Sequence, residues 1–305
     1  MFNKLAAAAL MAIVPVAQAA TSSTFSYDEN SIYGPQNWGK LDMPNNACDG
    51  RSNSPVAIEM GECDRFENYR FDDGNCAYGD MSYSLTNTGV KASFPSDDSC
   101  TNPTVRIPGI NGKYKALQFH IHTSSEHTID GNFYGAELHT VHAEIDGDRF
   151  AVIGMMIQPD ATEPNDLFEV LLTGWEKKDL AHREACFGEP APVATDGDDG
   201  AVRKLAEDGQ DIIFAPYDLL PKGTGFFHYD GGLTTPPCSE VVWWNLADTA
   251  VAVTPDQYMR LVELVTTYID ASTCELGSNA GPVGSTSRPV QPLYGRIVER
   301  VCAAN

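Results

Sequence analysis

Basic residues are scarce in this chain. Lysine and arginine number 20 against 42 aspartates and glutamates, giving a net charge of −22 over 305 residues. A surface of that sign repels nucleic acid and anionic membrane, so neither is expected as a partner. It suits a soluble, extracellular or salt-adapted protein better than a dedicated cation binder. The eight cysteines include no CxxC pair, which weakens any thiolate metal site. No internal repeat is visible. Beyond the first 19 residues, no apolar run approaches the roughly 20 residues that a membrane helix needs.

Those first 19 residues read as a secretory signal rather than as structure. Lys4 supplies the positive end, Leu5–Val16 the apolar run, and Ala17, Gln18 and Ala19 a small-residue cleavage site, so the mature chain is expected from near Ala20. Pro15 and the short apolar length argue against an anchor. Export to a secreted, periplasmic or other oxidising compartment predicts disulfides among the even number of cysteines.

The remainder, residues 20–305, is long but within the range of one large domain, and 42% hydrophobic composition can bury a substantial core. Short runs separated by Gly, Pro, Asn and Asp predict strands at Met81–Thr86, Leu117–His122, Ala136–Ile145, Phe150–Ile157, Ile212–Phe214 and Val241–Leu246. One amphipathic helix is predicted over Pro255–Tyr268, with Thr254 as its N-cap. Glu184–Gly209, rich in acidic, small and turn residues, reads as a surface insertion. A mainly β, sheet-centred single domain with a few short helices follows.

The chemistry concentrates in Phe119–His142, which holds five of the seven histidines. His120 and His122 are spaced i, i+2, so on a strand both imidazoles leave one face. If the following run, Ala136–Ile145, pairs antiparallel with theirs, His139 closes a cluster of three nitrogens. A lone histidine would read as an ordinary core or surface residue. Three neutral imidazoles with an open fourth position are instead the pattern of a catalytic zinc site, of which carbonic anhydrase is a standard instance.

The segments QFHIH, SEHT and ELHTVH resemble the zinc-site core of the α-class carbonic anhydrases, and Leu233–Pro237 (LTTPP) resembles that family's second signature. Gly34–Trp38, Ser54–Val56 and Arg288–Leu293 match three further landmarks, all in family order. The resemblance implies a large, mostly antiparallel twisted sheet and zinc-dependent, reversible hydration of CO2 to bicarbonate and a proton by a metal-bound hydroxide. His120, His122 and His139 would hold Zn2+. Gln118 and Glu137 would orient the imidazoles. Thr234 would orient the nucleophile while donating to buried Glu126, with Tyr27 in the same hydrogen-bond network. Thr235 would contact bicarbonate, and Val141, Val152, Leu233, Val242 and Trp244 would form an apolar wall for CO2. His127 and His142 would serve in structural hydrogen bonding.

In secreted relatives a cysteine before the Ser-Pro-Val landmark bridges to one after Thr-Thr-Pro-Pro, positions that Cys48 and Cys238 fit. Cys63, Cys76, Cys100, Cys186, Cys274 and Cys302 are left with their pairing open. Three departures from the family pattern stand out: Asn53 replaces a glutamine, Thr123 replaces an aromatic residue, and Val90 occupies the place of the proton-shuttle histidine. Two other readings remain from the sequence. One is a catalytically weak, acidic secreted matrix or binding protein on the same fold, although such relatives typically lose a zinc ligand. The other is an unrelated three-histidine metal protein, which would lack the LTTPP landmark.

Overall fold

The computed structural model describes residues 25–86, 89–147, 149–188 and 214–304. The expected signal over residues 1–19, and residues 189–209 of the expected insertion, lie outside them.

A mixed sheet of 12 strands forms the body of the protein. Its spine is β1 (Arg65–Phe66), β2 (Ser82–Thr86), β3 (Gly89–Ser93), β4 (Tyr114–Thr123), β5 (Ala136–Glu144), β6 (Phe150–Gln158), β7 (Phe226–Gly231), β8 (Val242–Ala247) and β9 (Glu299–Cys302). Across the sheet they follow the order β1–β9–β7–β8–β6–β5–β4–β3–β2. Neighbours run antiparallel except β6 with β8 and β9 with β1. β6 is central and covered on both faces, which explains its unbroken apolar run Ala151–Ile157. β4 instead alternates, placing Phe119 and Ile121 on one face and Gln118, His120 and His122 on the other.

The face carrying Phe119 and Ile121 packs, with Val90, Leu138, Ile153 and Met155, against two helices, α1 (Asp166–Phe187) and α2 (Pro255–Thr267). Fully burying a side chain of this size contributes roughly 1.5–3 kcal/mol. α2 starts where its sequence signals indicate. Thr254 Oγ1 accepts from Gln257 N at 3.2 Å and Gln257 Oε1 accepts from Thr254 N at 3.2 Å, a reciprocal cap with Pro255 in the first turn.

α1 is a helix that the apolar periodicity does not announce. Its buried residues, Phe168, Val170, Leu171, Leu172 and Trp175 among them, fall in the first half, and the second half is polar. Only its ends are marked: Asn165 Oδ1 accepts from Phe168 N at 3.1 Å, and Gly188 closes the helix with φ 72°. Glu184–Phe187, expected to open a surface insertion, are therefore the last turn of α1. Arg260 of α2 binds Glu169 and Glu176 of α1, each at 2.7 Å, and locks the two helices together. Of the strand expected over Ile212–Phe214, Ile212 and Ile213 lie outside the described residues, and Phe214 is a buried residue of the core whose N–H donates to Cys76 O at 3.2 Å.

Four disulfides join Cys48 to Cys238, Cys63 to Cys302, Cys76 to Cys100 and Cys186 to Cys274. Four such bonds fit an oxidising compartment. No helix among the described residues is long and apolar enough to cross a membrane.

Candidate metal centre

β4 and β5 bring three imidazoles together. His120 lies directly opposite His139 in the ladder, and His122 opposite Glu137. One ring nitrogen from each histidine lies within 4.8 Å of the other two. The remaining nitrogens are occupied by acceptors. His120 Nδ1 donates to Gln118 Oε1 at 2.9 Å, His122 Nδ1 to the carbonyl of Thr286 at 2.7 Å, and His139 Nε2 to Glu137 Oε1 at 2.7 Å. A carbonyl or carboxylate oxygen can only accept, so these contacts fix the tautomers. His120 Nε2, His122 Nε2 and His139 Nδ1 are left as lone-pair donors facing one another.

Electrostatics favour the uncharged rings. Burial, then the neighbouring His122 and His139, hold His120 well below the usual histidine range, and burial lowers His122 and His139 too. His122 Nε2 is buried and finds no hydrogen-bond partner among the described residues. Three converging neutral imidazoles, one with an orphaned nitrogen, are a donor set for a divalent cation such as zinc.

Glu137 anchors this arrangement. Its Oε1 accepts from His139 and, at 2.7 Å, from His127 Nδ1, while Oε2 accepts the backbone N–H groups of Glu126 and His127 at 2.9 and 2.8 Å. Burial pushes this carboxyl up, but the neighbouring His127 and His139, which donate to it, outweigh that and hold Glu137 well below the usual range. Room for it comes from Gly154 of β6, opposite His139, where a Cβ would lie 3.3 Å from Glu137 Oε1 and 2.6 Å from Leu246. Behind His127, its Nε2 lies 2.5 Å from the Tyr229 hydroxyl, which is 2.9 Å from Ser54 Oγ. His142 serves elsewhere, with Nε2 2.7 Å from the Tyr217 hydroxyl.

The loop Leu233–Cys238 borders the cluster. Its geometry is held by the Cys48–Cys238 bridge, by the Cys238 N–H donating to Thr235 O at 2.8 Å, and by the Leu233 N–H donating to Ser239 O at 3.0 Å. Thr234 is buried and Thr235 half-buried. Glu126 is fully buried beneath the loop, and burial pushes its carboxyl up to about 7. Its Oε1 accepts from the Arg288 N–H at 2.9 Å, while its Oε2 lies 3.4 Å from His122 Nε2. The direct Thr234–Glu126 bond expected from the family pattern is not formed with ordinary geometry: Glu126 Oε2 has no hydrogen-bond partner among the described residues. The Thr234 hydroxyl nevertheless stands close enough to favour the ionised carboxyl. Tyr27 is buried near Glu126, and its hydroxyl likewise has no partner among the described residues.

The expected apolar wall is a single row across the sheet. Val141, Val152 and Trp244 are opposite one another on β5, β6 and β8, with Val242 and Leu233 in the same cluster. The Trp244 ring lies 4.8 Å from that of His139.

Val90 departs from its expected place. It pairs with Ile121, is fully buried, and belongs to the core on the opposite face of the sheet. The next residue, Lys91, pairs with His120 and is the one on the site face. A one-residue step along a strand exchanges faces, which is why alignment through a turn misplaces the side chain.

Thr286 and Ser54 are contributors that carry no sequence signal of their own role. Asn53, in place of a glutamine, accepts from Arg288 Nη1 at 2.7 Å. Thr123, in place of an aromatic residue, donates from Oγ1 to Gly284 O at 2.7 Å and so ties β4 to the segment that supplies the Thr286 carbonyl.

Comparisons with known proteins converge on one family. The model of the eukaryotic-type carbonic anhydrase family matches residues 33–186 and 201–302. A carbonic anhydrase of a Nostoc species is 27% identical over 286 residues, covering 93% of this chain and 89% of that protein. One from Pectobacterium carotovorum is 27% identical over 299 residues, covering 98% of this chain and 99% of that protein. Among solved structures, a hyperthermostable carbonic anhydrase from an active hydrothermal vent chimney superimposes with a TM-score of 0.60 at 27% identity, covering 91% of this chain and 99% of that one.

Proposed function

The chain belongs to the eukaryotic-type carbonic anhydrase family, and from that premise we propose that it is a zinc enzyme interconverting CO2 and water with bicarbonate and a proton. The observation that carries this reading is the convergence of three uncharged imidazoles, His120, His122 and His139, each held from behind by an acceptor.

Zinc bound there would act as a Lewis acid that lowers the pKa of water toward about 7. The rest of the chemistry belongs to the protein. Gln118, Glu137 and the Thr286 carbonyl fix the imidazole tautomers. Thr234, beside buried Glu126, would accept a hydrogen bond from the nucleophile and so direct its lone pair. Val141, Val152, Leu233, Val242 and Trp244 would give CO2 an apolar surface, and Thr235 would meet the departing bicarbonate.

The proton would leave the site without a histidine relay. His127, His142 and His228 are buried, and His182 Nδ1 lies 2.9 Å from the carbonyl of Ile269 on α1's side of the molecule. Small buffer molecules would carry the proton from the site. The acidic surface and four disulfides accord with action in an exported compartment.

The test is metal analysis of the purified mature chain together with a CO2 hydration assay. One zinc per chain and measurable hydration are expected; a metal-free or inert chain overturns the reading.

A further inference from the structure

A row of directly opposed residues runs from the imidazole cluster to the sheet edge: His139 on β5, His120 on β4, Lys91 on β3 and Ser84 on β2. Opposed residues in a ladder share a face and place their Cβ atoms about 4.5–5.5 Å apart. Lys91 therefore presents its side chain beside His120, on the face that carries the imidazole cluster. The neighbouring row on the same face, Gln118, Ser93 and Ser82, carries no charge.

Lys91 is half-buried and held in register from behind, where its carbonyl accepts from Trp175 Nε1 at 2.9 Å. It forms no ion pair among the described residues, and burial alone shifts its ammonium downward. An unpaired ammonium on the site face is conspicuous in a chain of net charge −22. Such a chain repels an approaching anion, and one local cation in a partly desolvated position offsets that repulsion where it matters.

Resting on the zinc-site reading above, we propose that Lys91 is a specificity-determining residue that draws small anions, bicarbonate above all, to the cluster. CO2 carries no charge and gains nothing from it. Lys91 thus biases the site toward the anionic partner of the reaction without touching the reacting atoms.

The test uses the full zinc-loaded chain and calorimetric titration with two small ligands, anionic thiocyanate and neutral imidazole. At about 8 Å and an effective dielectric between protein and water, removing one unit charge changes anion affinity by about 3–10-fold. Lys91→Met should weaken thiocyanate by that factor and leave imidazole within about twofold. Lys91→Arg should restore thiocyanate binding, and added salt should narrow the gap between wild type and Lys91→Met. Should Lys91→Met fail to fold, Ser84→Glu sets a carboxylate opposite Lys91 at the half-exposed edge and should weaken thiocyanate in the same direction. Equal thiocyanate affinity in wild type and these variants, or a parallel loss for imidazole, overturns the inference. A wild-type chain that holds no zinc and hydrates no CO2 overturns the zinc-site reading instead, and is recognised before any variant is made.

Discussion

The carbonyl of Thr286 accepts the Nδ1 proton of His122 at 2.7 Å, although the two residues are 164 positions apart. This contact turns His122 Nε2 toward His120 and His139, and no substitution of the Thr286 side chain removes it. The three imidazoles thus differ in how they can be tested from behind: Gln118 and Glu137 are accessible to mutation, and Thr286 O is not.

Replacing His120, His122 or His139 with Ala should abolish stoichiometric zinc, read by atomic analysis of the purified protein. Glu137→Gln should weaken zinc by about 10–100-fold, the usual cost of losing a partner behind a ligand. Full occupancy in any one of the alanine variants would remove that histidine from the ligand set.

Thr234→Val should retain zinc and lose at least about tenfold in kcat/KM, a floor for losing an orienting hydrogen bond near the reacting atoms. Stopped-flow CO2 hydration with parallel zinc analysis checks it. An unchanged kcat/KM would place Thr234 outside the chemistry.

Val90→His should not create a proton relay. Val90 is fully buried on the core face, so an imidazole there would lack partners and destabilise the fold by about 2–3 kcal/mol. Wild-type kcat should rise with the concentration of an imidazole buffer at fixed ionic strength, and the variant should keep that dependence. A variant with high, buffer-independent kcat would show that residue 90 reaches the site after all.

Acid should weaken the fold through His228, whose ring burial holds at about 4. Between the ordinary histidine value and that one, the unfolded chain binds a proton that the folded chain refuses. Stability is therefore complete above about pH 6.5 and falls as pH drops toward 4, by about 1.4 kcal/mol per pH unit. In urea titrations at pH 7 and pH 5, His228→Gln should shrink the acid-induced loss by about 2 kcal/mol. Equal losses in the two proteins would show that His228 is not the titrating group.

Severing Cys48–Cys238 by a double serine substitution should cost up to about 5 kcal/mol, because the bridge closes a loop of 190 residues. Urea midpoints measure the loss, and kcat/KM should fall with it as Thr234 and Thr235 lose their fixed loop. A midpoint equal to that of wild type would mean that the loop is held by other contacts.

Much of this was legible in the residues themselves. The i, i+2 histidines and the alternation around them revealed a strand face, and Thr254-Pro255 with Gln257 marked the start of α2. What escaped did so for physical reasons. The Thr286 carbonyl is backbone, so its residue type says nothing of its role. α1 hides because only its first half meets the core, while its second half runs along solvent. Lys91 and Val90 exchange roles because strand faces alternate with a period of two, so an error of one residue is an error of face. The pairing of Cys63 with Cys302 depends on topology, which spacing does not encode.

The position of β9 bears on how the chain is made. β9 lies between β1 and β7, with Val301 opposite both Arg65 and Phe226 and Cys302 bridged to Cys63. A nascent chain cannot complete this sheet until Cys302 has left the ribosome, however early the imidazole-bearing strands emerge. Until then β7 and β1 carry unsatisfied edges, the form of a sheet most open to pairing with another chain. Truncation before Glu299 would leave both edges exposed for good and favour aggregation.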